Sequence, residues 1–300
     1  MLLAIPALRV LRRALASDSL VLAAQPRIAR LLEILGITHR SVDFEALGLD
    51  ALFEVEPVER RRAWPARCAD ELRGATRVVA WIGSREPRFV ERLTTLVPGS
   101  IVAPSVVAGR LVWEHLVHTV GASATHGERA LRAPVDVPAA LGEEAHRELT
   151  RCGWNGSDRL LLVHPGAGGR GKRWPAPGFA AVLERVATFP RLAIAVHEGP
   201  ADSDAVAALP EPLLARTIGL REPPLPLLAG VLTHATAYLG NDSGISHLAA
   251  AIGVPSIVLF GSERLIWRPW AEHVEPVVVS PGAEASDVAR VTAELTRLLR

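Results

Sequence analysis

Cysteine is scarce in this chain, whose 300 residues include only Cys68 and Cys152. Two cysteines are too few to form a disulfide framework, and their spacing is not that of a metal-binding pair. The scarcity therefore argues against a secreted, disulfide-stapled protein and against a cysteine-ligated metal site. We expect a protein of the reducing cytoplasm that uses no metal and no cofactor.

An excess of charge of one sign is also missing, because 33 basic residues stand against 32 acidic ones. This balance creates no field that would recruit nucleic acid, so we expect the function to lie in a local site. Hydrophobic residues make up 49% of the chain and charged residues 22%, which is typical of a globular protein. The length suits two domains of ordinary size.

A long apolar run is absent as well. The apolar opening from Leu2 to Leu8 is interrupted by Arg9, and no basic segment precedes it. It is far shorter than the roughly 20 residues that span a bilayer. We therefore expect neither a signal peptide nor a membrane anchor.

What the sequence does contain is an alternation of strands and helices, which predicts an α/β fold with parallel sheets. In the N-terminal part, helices are expected at 3–16, 26–35 and 87–96, and strands at 19–24, 77–83 and 101–107. In the C-terminal part, helices are expected at 143–151, 178–187, 226–234 and from Asp287 onward, and strands at 159–165, 192–197 and 276–279. We expect two domains, residues 1–142 and residues 143–300.

A strand runs directly into an alanine-rich helix between residues 238 and 250, with small polar groups at the junction. The first amides of a helix have no intrahelical partner and carry about half a positive charge, so a phosphate can dock there. Gly244 lets the backbone approach closely, Asp242 and Ser243 are good N-cap residues, and His247 follows one turn later. The junction predicts an anion site, although a capped helix without a ligand has the same pattern.

A second strand, the one expected at 159–165, leads into a glycine-rich loop that carries Lys172 and Arg173. Residues 166–172 have the spacing of a P-loop, whose glycines cradle phosphates. Arg173 replaces the hydroxyl residue that would hold Mg²⁺, and Pro175 follows where the P-loop helix should already run. We therefore reject a nucleotide triphosphatase and keep a cationic loop at a strand's carboxyl end, where α/β folds bind ligands.

These segments together resemble glycosyltransferase family 9, the family of the heptosyltransferases that build the lipopolysaccharide core. The matching segments are His164-Pro165-Gly166-Ala167, Lys172-Arg173-Trp174-Pro175, Gly240-Asn241-Asp242-Ser243-Gly244, His247-Leu248-Ala249-Ala250, Gly253-Val254-Pro255, Ile257-Val258-Leu259-Phe260-Gly261, Ile5-Pro6-Ala7-Leu8-Arg9 and Leu11-Arg12-Arg13-Ala14. The resemblance implies the GT-B fold, in which two Rossmann-like domains face a cleft. The N-terminal domain would serve the acceptor and the C-terminal domain the nucleotide sugar.

The resemblance also implies a reaction. An inverting, metal-independent enzyme would move a sugar, with heptose as one candidate, from a nucleotide-diphosphate donor such as ADP-heptose. The acceptor would be the lipopolysaccharide core or a related lipid-linked or oligosaccharide glycan. Such an enzyme would be cytoplasmic and could touch the inner face of the membrane peripherally.

Glycosyl transfer leaves negative charge on the departing diphosphate and requires a base for the acceptor hydroxyl. We expect Lys172 and His247 to stabilise that charge; the alternatives are a solvated loop lysine and a histidine satisfied within its helix. The resemblance assigns the donor's sugar and phosphates to the helix junction, with Asp242 accepting from sugar hydroxyls. One of Glu198 and Asp202, after a strand, is expected at the ribose. The expected substrate-binding set is Asp242, Ser243, Gly244, Ile245, Ser246, Glu198 and Asp202.

The start of the sequence departs from the family pattern. Family members open with a strand and a glycine-rich turn, whose Asp is taken as the general base, before the helix that corresponds to residues 5–9. Met1 stands almost where that turn would end, and Asp18 and Glu33 lie on the wrong side of the helix. We expect either a natural start upstream of Met1 or a catalytically impaired relative. The N-terminal sheet should then show a gap or closed-up neighbours.

Three functions remain open at this point. The leading one is the glycosyltransferase. The second is a sugar-nucleotide epimerase, which would need several acidic or histidine groups around the sugar, whereas only Asp242 is clear. The third is a non-catalytic sugar-nucleotide binder that has lost its base.

Overall fold

The structure is a computed structural model that describes residues 1–14, 19–54, 63–121 and 128–300. It divides the chain into two compact units, one ending at Leu131 and the other running from Arg132 to Arg300. The expected boundary at residues 142 and 143 falls inside a helix, Ala139–Arg151, which belongs entirely to the second unit. In the described residues, no helix is both long and apolar enough to cross a membrane.

The first unit contains short strands connected by helices. The strands are β1 (Val21–Ala24), β2 (Arg40–Asp43), β3 (Val79–Ala80) and β4 (Ile101–Val102). The helices are α1 (Ile5–Ala14), α2 (Pro26–Ile34), α3 (Asp70–Arg73), α4 (Pro87–Leu96), α5 (Val112–Thr119) and α6 (Glu128–Leu131). Short 3₁₀ turns lie at Leu2–Ala4, Glu45–Leu47 and Leu49–Leu52.

The predicted helices of this unit are confirmed, and α2 and α4 each begin at a proline, the residue that suits the first helical position. The strands predicted at 77–83 and 101–107 are wrong in length, since only two residues of each pair with one another. Gly83 ends the first of them with φ of +69° and packs so closely on Phe89 that a Cβ would lie 2.4 Å from its ring. The end of the predicted first helix and Asp18 lie outside the described residues.

The four described strands of the first unit form two separate parallel pairs, β1 with β2 and β3 with β4. In the described residues the two pairs are not joined into one sheet. Two-stranded sheets have little stability of their own, so these pairs depend on the helices packed around them.

The second unit is a doubly wound α/β domain. Its strands are β5 (Arg159–His164), β6 (Leu192–Glu198), β7 (Ile218–Arg221), β8 (Ala235–Asn241), β9 (Ser256–Phe260) and β10 (Val274–Val278). Its helices are α7 (Ala139–Arg151), α8 (Ala176–Val186), α9 (Ser203–Ala207), α10 (Glu211–Leu214), α11 (Leu225–His234), α12 (Gly244–Ile252) and α13 (Ala285–Leu298). The predicted α/β fold with parallel strands is confirmed here.

All six strands of this unit are parallel, in the order β10-β9-β8-β5-β6-β7. Their apolar residues form a core with α8 and α13, and Leu161, Phe179 and Val291 are fully buried in it. Continuous apolar strands are expected where helices cover both faces of a parallel sheet. Gly230 of α11 lies so close to α7 that a Cβ would meet the carbonyl oxygen of Leu141 at 2.1 Å.

The strand order places the candidate site. The chain continues from β5 to β6 and β7 on one side of the sheet and then returns to β8 on the other side of β5. The strand order therefore reverses between β5 and β8, and ligands of open α/β sheets bind outside the carboxyl ends of strands at such a reversal. The loops after β5 and β8 carry the two segments that the sequence singled out.

Candidate functional site

The loop after β5 is anchored by one buried amide. Asn241, at the end of β8, is fully buried; its Nδ2 donates to the carbonyl oxygen of Pro165 at 2.8 Å, and its Oδ1 accepts from the backbone N–H of Trp174 at 2.9 Å. One side chain thus holds both ends of the glycine-rich loop against the neighbouring strand. Because a buried amide left unpaired costs about 1–3 kcal/mol, these bonds also fix Asn241 itself.

Lys172 ends a short 3₁₀ turn, Arg170–Lys172, within this loop. Its Nζ lies 3.7 Å from Oδ2 of Asp242, and about a third of its side chain is exposed. It is the single lysine of the chain. The structure therefore brings together the loop cation and the junction carboxylate that the sequence proposed separately.

The helix junction after β8 is confirmed as a capped helix start. Ser243 is the N-cap of α12, and its Oγ accepts from the backbone N–H of Ser246 at 3.3 Å. Ser246 is fully buried, and its hydroxyl contacts Tyr238 at 2.9 Å. Gly244 is exposed, and a Cβ at this residue would meet no atom within 4 Å. The space beside Gly244 is therefore open, as a helix start that receives an anion requires.

Asp242 is the centre of the site. Its side chain is 5% exposed, and Arg264 Nε donates to its Oδ2 at 2.6 Å. Burial alone would raise the pKa of this carboxyl, but the nearby His247, the hydrogen bond from Arg264 and the charge of Lys172 outweigh burial and lower the pKa. Asp242 is therefore ionised at neutral pH and surrounded by positive charge.

His247 lies one turn into α12, as expected from its spacing. Its Nε2 is 3.7 Å from Oδ1 of Asp242, whereas Arg264 contacts Oδ2. Its Nδ1 is buried and has no hydrogen-bond partner among the described residues. The ring therefore has one nitrogen directed to the carboxylate and one that the described protein leaves unsatisfied.

Arg264 was not predicted from the sequence. It lies in the 3₁₀ segment Ser262–Trp267 directly after β9, and its guanidinium is 5.7 Å from the centre of the Trp267 ring. The signal available in the sequence was its position after a predicted strand. That position lies near Asp242 because β9 pairs with β8, and the backbone N–H of Asp242 donates to the carbonyl oxygen of Leu259 at 3.0 Å. That adjacency depends on strand order, which local sequence does not reveal.

Glu198 is the last residue of β6 and Asp202 follows that strand; one of the two was expected at a ribose, and both make other contacts. Glu198 Oε1 lies 3.5 Å from Arg221 Nε. Asp202 is buried, with its carboxylate 3.8 Å from His164 and 3.7 Å from Arg173. The structure thus joins Asp202 to the loop of Lys172 through Arg173, while Glu198 pairs with the neighbouring strand β7.

The Asp202 carboxylate packs against glycine backbone. A Cβ on Gly166 would lie 2.1 Å from its Oδ1, and one on Gly199 would lie 2.6 Å from its Oδ2. Two buried histidines lie beside it, with Nδ1 of His164 and Nδ1 of His197 3.0 Å apart. Burial lowers the pKa of His164. Burial and the neighbouring His164 lower the pKa of His197 to about 3. Both rings are therefore neutral and support the loop without supplying charge to a ligand.

Comparison with known proteins identifies the protein family. The sequence model of Glycosyltransferase family 9 (heptosyltransferase) matches residues 126–295, more than half of the chain. A lipopolysaccharide heptosyltransferase 3 of Escherichia coli is 28% identical over 186 residues, which cover 55% of this chain and 52% of that protein. The chain thus spans about half the length of this curated relative.

Two solved structures share the fold over almost the whole chain. The ADP-heptose lipopolysaccharide heptosyltransferase II of E. coli has a TM-score of 0.71 and 17% identity, covering 100% of this chain and 95% of that one. A family 9 glycosyl transferase from Veillonella parvula DSM 2008 has a TM-score of 0.72 and 17% identity, covering 99% and 93%. At this identity the two likenesses establish the fold alone, which is the GT-B class of α/β proteins. With the family match, the chain belongs to glycosyltransferase family 9.

Proposed function

We propose that this protein transfers a sugar from a nucleotide-diphosphate donor bound at the carboxyl ends of β5, β8 and β9. The observation that carries the proposal is the surplus of positive charge around one buried carboxylate. Lys172 and Arg264 both contact Oδ2 of Asp242, so two cations face a single negative charge. An anionic ligand at the adjacent start of α12 would balance this surplus.

The same charges suit the departure of a diphosphate. When the bond to the anomeric carbon breaks, negative charge grows on the phosphate oxygens, and oriented donors stabilise it without reorganising. Lys172 and His247 are the groups that we assign to this task. A single positioned donor of this kind is typically worth about 10²- to 10³-fold in rate. With these donors in place, we propose a metal-independent, inverting displacement.

Asp242 is assigned to binding and not to proton abstraction. Its lowered pKa makes it a weak base at neutral pH, because an effective base has a pKa near the working pH. We propose that it accepts from hydroxyls of the donor sugar. Ser243, Gly244, Ile245 and Ser246 would position the phosphates through the helix start, and Glu198 or Asp202 the ribose. No residue is assigned as the general base.

The relatives suggest which donor to try first. The E. coli structure is named as an ADP-heptose lipopolysaccharide heptosyltransferase, and the curated relative is a lipopolysaccharide heptosyltransferase. We propose ADP-heptose as donor and a lipopolysaccharide-core or related glycan as acceptor. A lipid-linked acceptor would bring the protein to the inner face of the membrane from the cytoplasm.

Product analysis by mass spectrometry tests the proposal. The protein is incubated with ADP-heptose, or with UDP-linked sugars, and a core-oligosaccharide acceptor, with and without EDTA. We expect an acceptor heavier by one sugar, release of the nucleoside diphosphate, and no effect of EDTA. An isomerised donor would indicate an epimerase, and binding without turnover would indicate a non-catalytic binder; either result would contradict the proposal.

A matched pair of variants ties any activity to the site. Lys172→Ala should reduce turnover strongly. Arg170→Ala removes a cation from the same 3₁₀ turn, but this arginine is highly exposed and pairs with Asp204 at 3.2 Å, away from Asp242. Its activity should stay close to that of the unmodified protein. Equal activity of the two variants would contradict the role of Lys172 in the reaction.

A further inference from the structure

Arg264 makes the shortest contact to the central carboxylate, and the proposed function counts its charge but assigns it no contact with the donor. Its Nε donates to Oδ2 of Asp242 at 2.6 Å. A guanidinium has five N–H donors in a rigid plane, and this contact uses one of them. Among the described residues, its two outer nitrogens have no hydrogen-bond partner. About a third of the side chain is exposed, so a ligand can reach these donors.

The side chain is also held in a defined orientation. Asp242 fixes the Nε edge of the guanidinium, and Trp267 lies beside it with its ring centre 5.7 Å away. An arginine packed beside an indole gains a cation–π attraction, and its planar group loses little freedom when it binds. Arg264 therefore presents a pre-oriented pair of N–H donors, the arrangement that binds phosphate oxygens in a bidentate manner.

The strand order decides which part of a donor this pair would meet. Arg264 follows β9, Asp242 follows β8 and Lys172 follows β5, and these three strands are neighbours. Asp242 lies between the two cations and is the proposed partner of the sugar hydroxyls. The phosphate nearest a sugar bound there is the one bonded to its anomeric carbon.

We propose that Arg264 binds the sugar-linked phosphate of the donor through its outer nitrogens while its Nε holds Asp242. This inference rests on the proposed function and extends it, because it names a second cation for the leaving group and couples that cation to the residue that positions the sugar. Arg264 would thus determine specificity for a diphosphate over a monophosphate.

The test compares nucleotide pairs that differ by one phosphate. Dissociation constants of ADP and AMP, and of UDP and UMP, are measured calorimetrically for the full chain and for Arg264→Gln, Arg264→Lys and Arg268→Gln. Arg268 is an exposed arginine four residues later, and its side chain is not among the described contacts of Asp242, so its variant controls for the lost charge. Thermal unfolding of each variant is measured without ligand.

The preference for diphosphate over monophosphate is the informative quantity. Arg264→Gln removes a charge-assisted hydrogen bond to the phosphate. It should therefore reduce this preference about 10- to 100-fold. Arg264→Lys, which keeps the charge but loses the planar donor pair, should restore only part of it, and Arg268→Gln should leave it unchanged.

Two results would overturn the inference in distinguishable ways. If the unmodified protein binds diphosphates and Arg264→Gln keeps the same preference, Arg264 serves only to hold Asp242, and the proposed function stands without it. If the unmodified protein binds none of the four nucleotides, the proposed function and this inference fall together. If Arg264→Gln lowers the melting temperature but leaves the preference for diphosphate unchanged, Arg264 likewise serves only to hold Asp242, and the inference is wrong.

Discussion

Replacing Lys172 with alanine removes the one lysine of the chain and one of the two cations on Oδ2 of Asp242. A hydrogen bond to a charged group contributes about 1.5–3 kcal/mol, and partial exposure of this side chain favours the lower part of that range. We therefore expect ADP to bind about 10- to 30-fold more weakly, measured by calorimetry at low salt.

The fold should be unaffected by this change. Lys172 lies in a loop, and a partly exposed ion pair contributes only about 0–1 kcal/mol to stability. The free energy of unfolding of Lys172→Ala should stay within about 1 kcal/mol of that of the unmodified protein. Arg170→Ala is the matched control. Equal ADP affinity in the two variants, with both folded, would refute the assignment of Lys172 to the diphosphate.

The single lysine offers a second readout for the same prediction. An amine-directed acylating reagent can modify only one side chain of the protein, and peptide mapping separates that label on Lys172 from any label on the terminal amine. Bound ADP should slow this labelling, whereas adenosine, which lacks phosphates, should protect far less. Labelling that is indifferent to ADP at saturating concentration would place the nucleotide away from this loop.

Three further predictions concern the same unit. His247→Ala should weaken ADP binding by about 1–3 kcal/mol without unfolding the protein, and unchanged affinity on calorimetry would contradict its role. Because the folded-state pKa of Asp242 lies below its unfolded value of about 3.9, its contribution to stability is complete above that value and is lost as the pH falls through the folded-state pKa. Asp242→Asn should therefore lose less stability on acidification than the unmodified protein in chemical denaturation at several pH values; an identical loss would contradict the shift. A fragment of residues 132–300 should bind ADP, gaining roughly 2.7 kcal/mol of stability at 100 times its dissociation constant. No shift of its melting temperature, in a fragment that folds, would show that the second unit alone does not hold the donor.

Helices were predicted well from local sequence where a proline or a capping residue marks the helix start. Pro87 begins α4, and the cap residue Ser243 precedes α12, both as expected. Strands were harder, because apolar runs continue beyond the paired residues: Ile101–Val102 is a fragment of the strand expected there. The opposite error occurred at β7, Ile218–Arg221, which was not predicted because it is short and lies at the sheet edge.

The residues of the candidate site also divide into those that local sequence predicts and those whose contacts depend on the fold. Lys172, Asp242 and His247 were found from loop and helix-start patterns, and the structure brings all three together. Arg264 could not be found that way, since its contact with Asp242 arises only when β9 lies beside β8. The burial of Asp202 between two glycines likewise depends on two strand ends meeting in the folded sheet.

A crystal structure of the protein with bound ADP tests the central claim most directly. The account predicts the diphosphate at the carboxyl ends of β5, β8 and β9, within hydrogen-bonding distance of Lys172 and of the first amides of α12, with Asp242 beside it. A nucleotide bound elsewhere on the protein, with Lys172 and Gly244 left in solvent, would contradict the account.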